Sequence, residues 1–281
     1  LYYTVSINKT NAYNNNFFTE VFIMAKVVLV HGGWCGKWCW DYNVKAIEEA
    51  GNEVICLDLP GHGENNPEAI VNVHLKDHVA YVEEQLQKID GPVVLAAHSM
   101  TGMVISQVAE DMPEKVEKLV YVAAFMPSAD GQRMVEFLQA DEWTGIGYKS
   151  SITLPNKTVV LNPLYARNLG FRFCDDEKFM FGLQHMQSEN PSMWAEPVHL
   201  SDKYHNVPKY YIHTLKDNCL SYWMQRKMIH DEPVIKQYYI DTDHCCMLSE
   251  VDEFNNAIID IVNDQYLPRA LAMIEQFKST I

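Results

Sequence analysis

Val93-Val94-Leu95-Ala96-Ala97-His98-Ser99-Met100-Thr101-Gly102 decides the fold. An apolar, β-branched run stops at a serine, and Met100 to Glu110 follows at once with helical spacing. A strand that turns sharply into a helix lifts the intervening hydroxyl above the end of a sheet. It also sets that hydroxyl at a helix N-terminus, where free N–H groups favour developing negative charge. The usual elbow of this kind reads G-x-S-x-G; here Ala97 and Thr101 stand at the glycine positions and Gly102 follows. From this segment alone, a helix-capping serine with no chemistry explains Ser99 equally well.

The flanking sequence has the alternation that such an elbow needs. Val27 to Val30 reads as a buried strand, Trp38 to Ala50 as a helix stopped by Gly51, and Glu53 to Leu59 as a strand closed by Pro60-Gly61-His62-Gly63. Leu75 to Ile89 is a helix, Pro92 to Ala97 a third strand and Lys118 to Ala124 a fourth. The rhythm breaks after Phe125-Met126-Pro127 and returns at Lys209 to Thr214. Helix 221–230, strand 234–240, helix 250–262 and a helical segment 268–278 then follow. Repeated β–α units predict an α/β class fold, a mostly parallel sheet covered by helices on both faces. The expected division is a core of 24–127 and 208–281, interrupted by a cap insertion, 128–207. Residues 1–23, rich in Asn, Tyr and Phe, read as an extension outside the core, because Met24-Ala25-Lys26 leads directly into a strand.

A serine nucleophile needs a base, a carboxylate to orient that base, and two N–H donors for the tetrahedral oxygen. Met100, the residue after the serine, supplies one N–H. The loop His31-Gly32-Gly33-Trp34-Cys35-Gly36 after the first strand supplies the other, with Gly33 the choice because no Cβ blocks the backbone's approach. His31 and His62 read as structural histidines of their loops. For this fold the chain order is serine, acid, histidine. His244 lies just past the strand that ends in Tyr238-Tyr239-Ile240, and Asp217 lies in the loop after the preceding strand. Asp243 is the rival acid, but neighbours on an extended segment point apart. Trp34 flanks the oxyanion loop and is expected in the substrate pocket, with Trp143 and Tyr148 as further pocket candidates from the insertion.

Several stretches now match one family. They are Val28 to Trp38, the Ala97–Gly102 elbow, Tyr121 to Pro127, Tyr211 to Ile229, and Asp243-His244-Cys245-Cys246-Met247-Leu248-Ser249-Glu250. Together they resemble the plant methylesterase and hydroxynitrile lyase branch of the α/β-hydrolase superfamily, over roughly residues 26–265, with a poor match at 128–165. The resemblance implies Ser99, Asp217 and His244 as a triad, with Gly33 and Met100 as oxyanion donors. These are the positions already reached from the residues. Lyases of one lineage carry Thr after the loop histidine and Lys after the catalytic one; here those positions are Gly32 and Cys245. The expected function is therefore a serine carboxylesterase that hydrolyses a small ester through an acyl-enzyme on Ser99. Cyanohydrin cleavage on the same triad and non-catalytic small-molecule binding on a hydrolase scaffold are the alternatives.

Composition narrows the partners. The 281 residues carry a formal net charge of −15, which disfavours nucleic acid and anionic membranes, and no apolar run is long enough to span a bilayer. The seven cysteines are odd in number and irregular in spacing, which predicts buried free thiols in a reducing, cytoplasmic setting rather than disulfides or a zinc site. No metal or organic cofactor is expected. The expected partner is a small-molecule ester, and the oligomeric state is left open, a homodimer included.

Overall fold

The computed structural model describes residues 24–144, 146 and 150–264. The residues 1–23 and the expected helix 268–278 lie outside the described part. The core strands are β1 (Lys26–Val30), β2 (Glu53–Leu57), β3 (Val93–His98), β4 (Val116–Val122), β7 (Lys209–Thr214) and β8 (Lys236–Ile240). They form one sheet in the order β2-β1-β3-β4-β7-β8, and every pairing is parallel.

Alternation along the strands builds two cores. Val28, Val30, Leu95, Ala97, Leu119, Tyr121 and Tyr211 face one way, against Leu75, Val79, Val82 and Leu86 of α2 (Leu75–Gln87) and Val104, Ile105 and Val108 of α3 (Gly102–Asp111). Val27, Leu29, Val94, Ala96, Val120, Val122 and Ile212 face the other way. There they meet Ile47 of α1 (Val44–Glu49) and Phe254, Ile258 and Ile261 of the helix Val251–Val262. Apolar layers on both faces explain why the strand sequences are near-continuous apolar runs.

Two expected helices begin differently. The helix expected over 38–50 is a 3₁₀ turn, Lys37–Trp40, followed by the shorter α1. The Lys37 N–H donates to the Asp58 carboxylate at 2.7 Å, which fixes that turn to the loop after β2 instead of to a helical axis. The helix expected from Met100 starts as a 3₁₀ turn, Ser99–Thr101, and becomes α-helical at Gly102.

Between β4 and β7 the chain leaves the main sheet. It forms α4 (Met134–Ala140), a hairpin of β5 (Ser151–Thr153) and β6 (Val159–Leu161), and the helices α5 (Pro163–Gly170), α6 (Asp176–His185) and α7 (Asp202–His205). Asn162, Asp175 and Ser201 cap the last three helices by accepting from backbone N–H groups, which explains where each begins. No helix among the described residues is long and apolar enough to cross a membrane.

Candidate active site

β3 delivers Ser99 in a left-handed conformation, φ 58°, where a residue with a Cβ sits only under constraint. The constraint is close backbone contact. A Cβ on Gly102 would stand 2.1 Å from the Phe125 carbonyl oxygen, while the Phe125 N–H donates to the Ser99 carbonyl at 3.0 Å. A Cβ on Gly32 would stand 2.6 Å from His98 Nδ1 and 2.9 Å from the Ser99 Cβ. The space that elbow glycines normally leave is thus provided by Gly32 and Gly102. Thr101 instead uses its hydroxyl, 2.8 Å from the His98 carbonyl and 2.9 Å from that of His31.

Ser99, His244 and Asp217 come together. Ser99 Oγ lies 2.9 Å from His244 Nε2, and His244 Nδ1 lies 2.7 Å from Asp217 Oδ2. A carboxylate only accepts, so Nδ1 carries the proton and Nε2 is free to accept from the serine hydroxyl. Asp217 is itself fixed by donors. Its Oδ1 accepts from the Cys219 and Leu220 N–H groups at 2.7 and 2.8 Å, and its Oδ2 accepts from Thr214 Oγ1 at 2.7 Å. Gln225 Nε2 adds a longer contact to Oδ2 and donates to the Leu220 carbonyl at 2.8 Å. The rival, Asp243, faces away and accepts from the Phe173 N–H at 2.7 Å. Burial pushes the Asp243 carboxyl upward.

His98 packs behind His244. Its Nε2 lies 3.0 Å from the His244 carbonyl, and the two rings are 4.5 Å apart at their centroids. Burial, then the charge of His244, drives the His98 imidazole well below the ordinary histidine value, so it stays neutral and donates. Thr214, Gln225 and His98 are the supporting residues that sequence reasoning missed. Only the position of His98, directly before the serine, offered a signal.

Above the triad is a cavity whose lining includes Gly33, Trp34, Met100, Phe125 and Met134. The segment between β4 and β7 contributes Leu161, Gly170, Phe171 and Met186 as well. Gly33 and Met100 therefore border the same space as the Ser99 hydroxyl, as the oxyanion reading requires. Trp34 lines it too. Trp143 does not: it is 71% exposed and borders a separate depression with Tyr165, Asn168 and Asn218. The α4 helix ends before it, and Asp141 accepts from the N–H groups of Trp143 and Thr144, which turns the chain outward. Tyr148 lies outside the described residues. Of the other aromatics of the insertion, Phe179 packs on Phe171 and Phe181 on Trp38, while Trp194 meets the edge of Trp34.

His31 is the structural residue expected. Its Nδ1 lies 2.9 Å from the Gly32 carbonyl and its Nε2 accepts from the Leu59 N–H at 3.1 Å, while burial takes its pKa down to about 3. His62 differs. It is completely buried and pairs with Glu189 at 3.0 Å, a partner 127 residues away that no local pattern announces.

The geometry agrees with what comparison finds. The Alpha/beta hydrolase family model matches residues 27–257. The chain belongs to this family. Within it the chain is methylesterase-like. Methylesterase 7 of Arabidopsis thaliana is 31% identical, over 86% of this chain and 97% of its own length. A longer protein of the same plant, named as a putative chloroplastic methylesterase, is 30% identical over 83% of this chain, and this chain spans 63% of its length. Among solved structures, that of polyneuridine aldehyde esterase superimposes with a TM-score of 0.75 and 25% identity, covering 86% of this α/β-hydrolase and 100% of that chain.

Proposed function

We propose that this α/β-hydrolase is a serine carboxylesterase acting on a small neutral ester through an acyl-enzyme. The observation that carries the reading is the hydrogen-bonded sequence Ser99 Oγ, His244 Nε2, His244 Nδ1, Asp217 Oδ2, opening on an apolar cavity. His244 takes the Ser99 proton as Ser99 Oγ attacks the ester carbonyl carbon. Asp217 stabilises the resulting imidazolium and keeps its tautomer. The Gly33 and Met100 N–H groups hold the oxyanion. The alcohol leaves with the proton from His244, and water, deprotonated by the same imidazole, releases the acid.

The relatives named for methyl esters make a methyl ester the first substrate to try. We read residues 24–127 and 208–281 as the catalytic core and 128–207 as its cap. The placement of Leu161, Gly170, Phe171 and Met186 in the cavity wall supports this division. All seven cysteines are free, which fits a reducing compartment such as the cytoplasm.

Two observations favour hydrolysis over cyanohydrin cleavage. No side chain fits at Gly32, where a Cβ would be 2.6 Å from His98 Nδ1, so the threonine of the lyase pattern has no room. Cys245 is buried and, unlike lysine, carries no positive charge in either protonation state, so it offers none to a departing cyanide. The test is a parallel assay. The reading expects p-nitrophenyl acetate to be hydrolysed and mandelonitrile to release no cyanide above the uncatalysed rate. Cyanide release without ester hydrolysis would overturn it.

A further inference from the structure

The geometry points to Glu189 and His62 as a positioning pair for the oxyanion loop, locking Gly33 from the cap side so that its N–H meets the tetrahedral oxygen. This inference rests on the esterase reading above. Both side chains are fully buried and lie 3.0 Å apart. Glu189 Oε2 stands only 3.6 Å from where a Cβ on Gly33 would be, and Glu189 Oε1 accepts from the Asn190 N–H at 3.0 Å.

The pair is one of several fastenings at the same place. Glu189 exchanges both backbone hydrogen bonds with Val159 of β6, each at 2.8 Å. Trp34 Nε1 donates to the Val159 carbonyl at 3.2 Å, and the Gln187 N–H donates to the Trp34 carbonyl at 2.9 Å. The Gln187 side chain accepts from the Gly63 N–H, beside His62. Trp34, next to Gly33, is held at φ 61°, a conformation that the surrounding contacts must enforce. Segment 187–189 therefore straps the oxyanion loop to the loop after β2.

A buried ion pair is a poor source of net stability, but removing one partner leaves a costly uncompensated charge, so the two side chains stay together. It has a second effect here. A bare carboxylate beside Gly33 would oppose the negative charge that develops on the substrate oxygen, and the His62 imidazolium cancels it. The groups facing the pair are His31 and His78, with ring centroids 5.1 and 5.7 Å from His62, together with Asp58 and Cys35. Burial draws His62 toward neutrality, but the Glu189 charge and hydrogen bond outweigh it and hold the imidazole above its ordinary value. Burial likewise raises Glu189, and the His62 charge and hydrogen bond, with His78 and the Asn190 N–H, together bring it below its ordinary value. His31 and His78 both fall to about 3, so His62 is the charged member of the three.

The test separates transition-state from ground-state effects. Glu189→Gln and His62→Gln are assayed on a p-nitrophenyl ester. They are also titrated with a trifluoromethyl ketone of the same acyl group and with the matching methyl ketone. Ser99 Oγ adds to the trifluoromethyl ketone carbon, its proton passes to His244, and the C=O electron pair moves to the oxygen as an alkoxide facing Gly33. The account expects kcat and trifluoromethyl ketone affinity to fall together by about tenfold or more, less than loss of a whole oxyanion donor. It expects KM and methyl ketone affinity to stay within about twofold. It expects His62→Gln to be the worse variant, since it leaves the carboxylate unpaired. If either variant fails to fold, Gln187→Ala, at the part-buried end of the strap, should give the same split with smaller amplitude. Unchanged kcat, or equal losses for both ketones, would overturn the inference. A wild type that forms the adduct but does not turn over esters would instead count against the esterase reading, and the adduct affinities would still report on the loop.

Discussion

The Thr101 hydroxyl lies 2.9 Å from the His31 carbonyl and so ties the start of the elbow helix to the end of β1, from which the oxyanion loop departs. The same oxygen lies 2.8 Å from the His98 carbonyl, so its single proton is shared between two buried acceptors. A residue that departs from the elbow pattern thus joins the turn that carries Ser99 to the loop after β1. Thr101→Val keeps the shape and removes the donor. Leaving buried acceptors unpaired costs about 1–3 kcal/mol. Thermal unfolding should show Tm lower by about 2–4 °C for each kcal/mol lost. An unchanged Tm would show that the hydroxyl is dispensable.

Gly102 makes the opposite test. In an ordinary helix, replacing glycine by alanine stabilises by about 1 kcal/mol. Here the new Cβ would stand 2.1 Å from the carbonyl oxygen of Phe125, the residue whose N–H donates to the Ser99 carbonyl. Gly102→Ala should therefore destabilise by about 1–3 kcal/mol, as overpacking does, and lower kcat by moving the turn that carries Ser99. Denaturant melts and ester hydrolysis check both effects.

Asp217→Asn leaves a side chain of the same shape among the Cys219, Leu220 and Thr214 donors. It removes the acceptor-only character that fixes the His244 tautomer. The imidazole then turns a proton toward Ser99 in part of the population and loses its counter-charge. The expected fall in kcat is about 10⁴-fold, with KM little changed. A fall under tenfold would point to another acid, and Asp243 is the other carboxylate beside the base in sequence.

Acid sensitivity should come from histidines buried as neutral groups. His78 is fully buried, and burial takes its pKa down to about 3. The unfolded chain, with an ordinary histidine value, takes up a proton that the folded protein refuses, so stability falls as pH drops below that value and is unaffected above it. His78→Leu removes this penalty. Relative to wild type, the variant should gain about 2 kcal/mol between pH 8 and pH 5. Chemical denaturation at the two pH values measures the difference, and a gap that does not change with pH would contradict the assigned state.

Much of this was legible in the chain because strands buried on both faces write themselves as apolar runs and turns as Gly and Pro clusters. Lys209–Thr214 is a strand over the range read from the sequence, and Ser99, Asp217 and His244 sit at the ends of their strands as the chain order requires. The insertion was less legible. Its short elements pack by contacts far apart in sequence, so an aromatic such as Trp143 gives no sign of whether it turns inward or, as found, outward. His62 read as a loop histidine because its partner, Glu189, comes from a distant element. The roles of Ala97 and Thr101 needed coordinates as well, since the close approaches that glycine serves had moved to Gly32 and Gly102.

The central claim is that Ser99 is a nucleophile activated by His244. Incubation with a fluorophosphonate, followed by mass spectrometry of the peptides, tests it most directly. One adduct on Ser99, formed by wild type and lost in both Ser99→Ala and His244→Ala, is the predicted result. A folded wild type that stays unlabelled, or that carries the label on another residue, would contradict it.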